Sequence, residues 1–178
     1  YTACFYTERG LLQCNVLVTA RYKSGNLFFL DVKMLGNLEK VQRRQFYRYD
    51  CLLDANIRIV SDEEYDTGIP DDISIPEDAL PWQPAKIVDI SGGGVRLNQR
   101  NQIERNEVVK LKFMVAILGE IIPFNLFARI LSSTPVQGRS DMYEQRMEFL
   151  KITQDERDKI VRFIFESERM EIANGKRF

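Results

Sequence analysis

The chain has 178 residues, 44% of them apolar, and its 25 basic and 26 acidic side chains leave a formal charge of −1. That is enough apolar content for a buried core, in one domain or two small ones, and too little basic excess for a protein that coats nucleic acid or an anionic membrane wholesale. Histidine is absent, which removes the commonest general base near neutral pH, the commonest metal ligand and every triad built on it. Cys4, Cys14 and Cys51 are odd in number and show no CxxC spacing, so neither a zinc site nor a closed disulfide framework is indicated; small buried hydrophobes in a reducing cytoplasm are expected. The longest apolar run, FMVAIL at 113–118, falls far short of the roughly 18 residues a membrane helix needs. No signal peptide opens the chain, and Tyr1 already stands in a strand-like run, so a fragment lacking its true N-terminus is expected.

Along the chain, short β-branched and aromatic runs recur between turn residues: ACFYT, LLQCNVLVTARY, NLFFLDVKM, CLLDANIRIV, AKIVDIS, GVRLN, EVVKLKFMVAIL, IPFNLFARILS and YEQRMEFLKI. Turns are expected at Glu8-Arg9-Gly10, Ser24-Gly25-Asn26 and Gly92-Gly93-Gly94, and the class is all-β. LGNLEKVQRRQFYR at 35–48 breaks at Gly36-Asn37 without strand alternation and is taken as a linker between two β modules. SDEEYDTGIPDDISIPEDALP at 61–81 carries eight acidic residues and three prolines, so it is expected as a long solvated loop, with contact to a basic partner or to the arginine cluster itself as its sharper role. Thr153, Asp155 and Glu156 mark a helix start, and Ile160, Val161, Phe163, Ile164 and Phe165 predict a helix over 154–170 with its apolar stripe on the β module.

Two motifs carry chemistry. VQRRQFYRYD at 41–50 sets three arginines among three aromatic rings. Arg44 and Arg48, four apart, share a face in either a helical or an extended segment, whereas Arg43 projects differently if extended. DISGGGVRL at 89–97 ends a strand on Asp-Ile-Ser, and three glycines then expose backbone N–H groups where side chains cannot crowd an anion or a planar ligand. No Lys-Ser or Lys-Thr follows, so this is not a P-loop. Alternation puts Asp89 and Ser91 on one, outward face with Ile90 in the core. A carboxylate accepts two parallel hydrogen bonds, and guanine offers adjacent N1–H and N2–H donors; arginine forks match phosphate and the O6/N7 edge and stack on bases. The two motifs together describe a site for a guanine nucleotide with exposed phosphates.

RQFYR fits the RxxxR motif, and DISGGG the [D/N]xSxxG motif, of PilZ domains, and the C-terminal MEFLKITQDERDKIVRFIF resembles the last strand and helix of that family. The resemblance covers about 45–170 and implies an antiparallel β-barrel with a C-terminal α-helix that receives the bacterial second messenger cyclic di-GMP. The module before the junction resembles the end of the small β-barrel N-terminal domain of YcgR-like flagellar brake proteins. The resemblance therefore implies residues 1–36 as part of that N-terminal domain, 37–48 as the arm with RxxxR, and 49–178 as the PilZ domain. It assigns Arg44 and Arg48 to phosphates and guanine edges, Arg43 to an added contact, Asp89 and Ser91 to a guanine, and Gly94 to keeping the turn open, with Arg96 as an extra contact. Of Phe46 and Tyr47, at least one is expected to anchor the arm in the core. The implied protein is a cytoplasmic receptor without catalysis or metal, changing its interdomain arrangement to regulate motility, with flagellar motor or switch proteins as candidate partners at the basal body. A single-stranded nucleic-acid-binding barrel is the alternative, and neutral charge with an acidic loop counts against it. Ligand stoichiometry, oligomeric state and the downstream partner stay open.

Overall fold

The computed structural model describes residues 1–7, 10–69, 76 and 80–175. The expected turn at Glu8 and Arg9 therefore lies outside the described residues. The chain divides into two compact units, Tyr1–Gln45 and Phe46–Phe178.

The first unit is a four-stranded antiparallel sheet built on the long strand β2 (Gly10–Ser24). Strand β1 (Thr2–Thr7) pairs with the first half of β2, and β3 (Leu27–Met34) pairs with the second half across a turn at Gly25, where φ is 61°. A short β4 (Glu39–Val41) pairs with Leu11–Gln13 of β2. Part of the segment expected as linker is thus a strand; three residues are too few for alternation to reveal one. Cys14 and Val16 are buried here, Cys4 only partly, as is Cys51 in the second unit, and every residue of β3 is exposed.

The second unit is a closed six-stranded barrel in the order β10-β7-β6-β5-β8-β9. Its strands are β5 (Arg48–Ile59), β6 (Gln83–Ser91), β7 (Gly94–Gln99), β8 (Val108–Ile117), β9 (Glu120–Val136) and β10 (Arg139–Leu150), all antiparallel neighbours. Closure leaves no edge strand. Alternate residues fill the interior, with Ile57, Ile87, Ile90, Leu97, Leu111 and Ile130 fully buried; each such side chain contributes about 1.5–3 kcal/mol. Helix α2 (Gln154–Ala173) starts on the expected residue: Thr153 accepts from Glu156 N–H, and the Glu156 carboxylate accepts from Thr153 N–H. It lays Ile160, Phe163 and Ile164 into the same core, while Phe165, counted in the stripe, is exposed.

The acidic insertion is not wholly irregular. Residues Asp62–Thr67 form a short helix, α1. Ser61 caps it by accepting from Glu64 N–H, the acidic first turn faces the positive end of the helix dipole, and Gly68, with φ 74°, closes it. Glu64 is buried and forms a two-pronged ion pair with the equally buried Arg58, with Lys110 at 3.8 Å. Arg58 and Lys112 lie over the Trp82 ring at 5.1 and 4.5 Å. One carboxylate of the insertion thus meets basic groups, and they belong to the barrel rather than to the 43–48 arginines.

Candidate functional site

A bulge at Val88 decides what β6 presents. Opposite β7, Ile87 pairs with Leu97 and Asp89 with Arg96, so Val88 has no partner and the alternation of β6 reverses there. Ile87 and Ile90 consequently both point inward although they are three apart, and Asp89 and Ser91 share the other face. Across β5 the register sets Asp50 opposite Asp89 and Arg48 opposite Ser91.

Asp89 shares the expected face with Ser91, but both side chains are covered rather than presented to solvent. The Asp89 Oδ2 accepts from Arg96 Nε at 2.6 Å, and no partner meets Oδ1 among the described residues. Arg96 Nη1 donates to Glu144 Oε2 at 3.0 Å, and Nη2 lies 3.7 Å from Asp50 Oδ1. One guanidinium thus serves three carboxylates. Burial works against its charge, but the hydrogen bonds to Asp89 and Glu144 outweigh burial and hold its pKa above the usual value. Next door, burial first, then Asp89 and Asp50, pushes the Cys51 thiol up to about 12.

Ser91 closes the turn. Its hydroxyl donates to Gly94 carbonyl oxygen at 3.1 Å and accepts from Gly93 N–H at 3.4 Å. The three glycines have two different reasons, and neither is an open turn. Gly94 stands where β7 meets β10 so closely that a Cβ would overlap the Met147 carbonyl. Gly92 and Gly93 form a floor for the Phe46 ring, whose carbons would lie 2.9 and 2.8 Å from a Cβ on either. The planar group against the glycines is therefore a side chain of the protein itself. Arg157 covers that ring at 4.9 Å and donates to the Gly92 carbonyl. Tyr47 donates to Glu168 Oε1 at 2.8 Å and Tyr49 to Glu171 Oε1 at 2.7 Å, so three consecutive contacts fasten 46–49 to α2. Burial and the bond to Glu171 push the Tyr49 phenol up to about 12.

Of the arginines, Arg48 opens β5 with an exposed side chain that has no ion pair among the described residues. Arg44 is likewise exposed, its backbone carbonyl accepting from Gln42 Nε2 at 2.9 Å, and Arg43 donates to Cys4 Sγ at 2.8 Å within the first unit. The second unit therefore brings together Arg48, Asp89, Ser91, Gly94 and Arg96, while Arg43 and Arg44 end the first. Glu144, Arg157, Glu168 and Glu171 were not legible in advance: each lies in a charged stretch of strand or helix with no spacing to set it apart.

The model of the PilZ domain family matches residues 42–166, a span that contains both motifs. The chain is a PilZ-domain protein. The PilZ fold is met again in solved structures. The inhibitor of motility MotI/DgrA of Bacillus subtilis is 15% identical with a TM-score of 0.73, over 96% of this chain and 73% of that one. Escherichia coli YcgR, solved in complex with c-di-GMP, is 16% identical with a TM-score of 0.53, over 99% of this chain and 69% of that one. The c-di-GMP complex of K. pneumonia MrkH is 16% identical with a TM-score of 0.50, over 98% and 74%. No curated protein matches the chain. At such identities the likeness establishes the fold. Among the described residues of this PilZ protein, no helix is long and apolar enough to cross a membrane, and no group of three His, Cys, Asp or Glu could hold a metal ion.

Proposed function

We propose that this PilZ protein is a cytoplasmic cyclic di-GMP receptor that regulates motility as a flagellar brake does, without catalysis of its own. The observation that carries it is an exposed Arg48, without an ion pair among the described residues, directly across from Ser91 and so two residues from an Asp89 carboxylate whose Oδ1 has no partner among the described residues. Phosphate and guanine need opposite chemistry, a forked cation and a fixed acceptor, and both occur here two rungs apart on one face of the β5–β6 ladder. Arg44 and Arg48 bind phosphates and guanine edges, Arg43 adds a contact, Asp89 and Ser91 meet guanine, and Gly94 keeps the strands in register. MotI/DgrA, by its description an inhibitor of motility, and YcgR with its bound c-di-GMP support both ligand and output.

Residues 1–36 belong to a YcgR-like N-terminal domain, 37–48 form the arm and 49–178 the PilZ domain. Ligand reorders the arm and resets the arrangement of the two domains, which requires tighter binding to one arrangement by a differential of about 1–3 kcal/mol. Titration calorimetry of the chain with cyclic di-GMP and with GMP tests this. Tight binding of the intact cyclic dinucleotide and far weaker binding of GMP are expected, because GMP offers a single base and phosphate. Equal affinities would remove the cyclic-dinucleotide assignment, and oligonucleotide binding with a steep salt dependence would replace it with a single-strand binder.

A further inference from the structure

We infer that Arg96, braced by Glu144, is not a ligand contact but the positioning residue that lets Asp89 tell guanine from other purines; this rests on the receptor function proposed above. The Asp89 side chain is about 10% exposed and faces a second carboxylate, Asp50, directly across the β5–β6 ladder, with Glu144 on the far side of β7. Like charges so placed repel, and the side chain would swing apart from them if nothing held it. Arg96 is what holds it. The Nε bond to Oδ2 fixes one oxygen, and the Nη1 bond to Glu144 fixes the guanidinium plane from the opposite side. Glu144 in turn accepts from Arg146 Nη2 at 3.2 Å. The order Asp89, Arg96, Glu144, Arg146 alternates in sign across three strands, a geometry in which each bond orients the next.

The two hydrogen bonds of the guanidinium, from Nε to Asp89 and from Nη1 to Glu144, both go to the protein, and Nη2 lies 3.7 Å from Asp50. A carboxylate held in one plane, with no partner on Oδ1 among the described residues and a second lone pair on Oδ2, can accept from N1–H and N2–H together. A carboxylate free to rotate makes one such bond as easily as two, and discrimination by the second is lost.

The experiment compares cyclic di-GMP with cyclic di-IMP, whose hypoxanthine keeps N1–H, O6 and N7 but lacks the N2 amine. The native chain should prefer cyclic di-GMP by about tenfold or more, the ratio a bidentate base contact supports. Arg96→Met should bring the ratio close to one while changing affinity for cyclic di-IMP little, and Arg96→Lys, which keeps the charge, should restore part of the preference. If Arg96→Met weakens both ligands equally, the guanidinium touches phosphate or the shared O6/N7 edge, and the inference is overturned. Should Arg96→Met fail to fold, Glu144→Gln leaves Arg96 in place; a preference reduced by about threefold supports the brace, and an unchanged one overturns it. A native chain that binds neither dinucleotide would instead remove the receptor function itself.

Discussion

Gly94→Ala is expected to be the costliest single methyl in the PilZ domain. An added Cβ would overlap the carbonyl oxygen of Met147 and stand 3.0 Å from both Met147 C and Glu148 Cα. Carbon pairs are ordinarily separated by about 3.5–4.0 Å, and the overlap with the carbonyl oxygen is tighter still, so β10 must retreat from β7 by roughly 1 Å or more. The obstacle is backbone, which cannot rotate aside as a side chain does, and the retreat strains the ladder that joins Gly94 to Glu148. The cost should lie near the upper end of overpacking, about 3 kcal/mol. For a unit of this size that lowers the melting midpoint by roughly 10 °C. Gly92→Ala and Gly93→Ala press instead on the Phe46 ring and should cost less stability, about 1 kcal/mol, while weakening ligand through the displaced arm. Thermal melts followed by circular dichroism, with calorimetric titration of the folded variants, separate the two effects. A Gly94→Ala protein that melts within a degree or two of the native chain would refute the reasoning, as would Gly93→Ala proving the most damaging of the three.

Asp89→Ala should weaken cyclic di-GMP by about 1–3 kcal/mol in calorimetry while barely moving the adenine analogue; equal losses would make Asp89 structural. Hydrogen exchange should find the amides of 42–45, between the β4 pairing and the Phe46 anchor, poorly protected alone and well protected with cyclic di-GMP, and a segment protected in both states would show that ligand does not act through it. Glu64→Ala leaves buried Arg58 without its carboxylate and should lower stability in urea by about 3 kcal/mol; an unchanged midpoint would mean that α1 is not docked. Cys51 and Tyr49 are both held protonated, up to about 12 from 9.0 and 10.0, so the unfolded chain releases these protons first and stability falls as pH rises from about 9 toward 12. Urea midpoints at pH 8 and 10.5 check this, and equal midpoints would refute it.

The strands were legible because apolar runs of five to twelve residues between turn residues leave few other structures, and the capping box at Thr153 announced α2. The shared face of Asp89 and Ser91 was legible too, since that parity is local; the bulge at Val88 that points it away from the core was not, because register is a property of two strands. Asp89 lies beneath Arg96, whose other hydrogen bond goes to Glu144, 48 residues from Arg96 in sequence. The helix in 62–67 escaped notice because composition was averaged over a proline-rich stretch, whereas its stability comes from one cap and one buried partner, Arg58. The glycines were singled out for an uncrowded turn, but sequence does not say what lies against them: the Phe46 ring at Gly92 and Gly93, and the β10 backbone at Gly94.

The family match closes at residue 166, yet the acceptors of Tyr47 and Tyr49 are Glu168 and Glu171. A chain trimmed to the family boundary would keep every motif residue and lose both braces of the arm. The arm would then enter each binding event with more conformations to surrender, and immobilising a rotamer-rich side chain costs about 0.5–1.5 kcal/mol. The last two turns of α2 thus govern the entropy of the PilZ domain rather than add to its motif: they set how much order residues 46–49 already have.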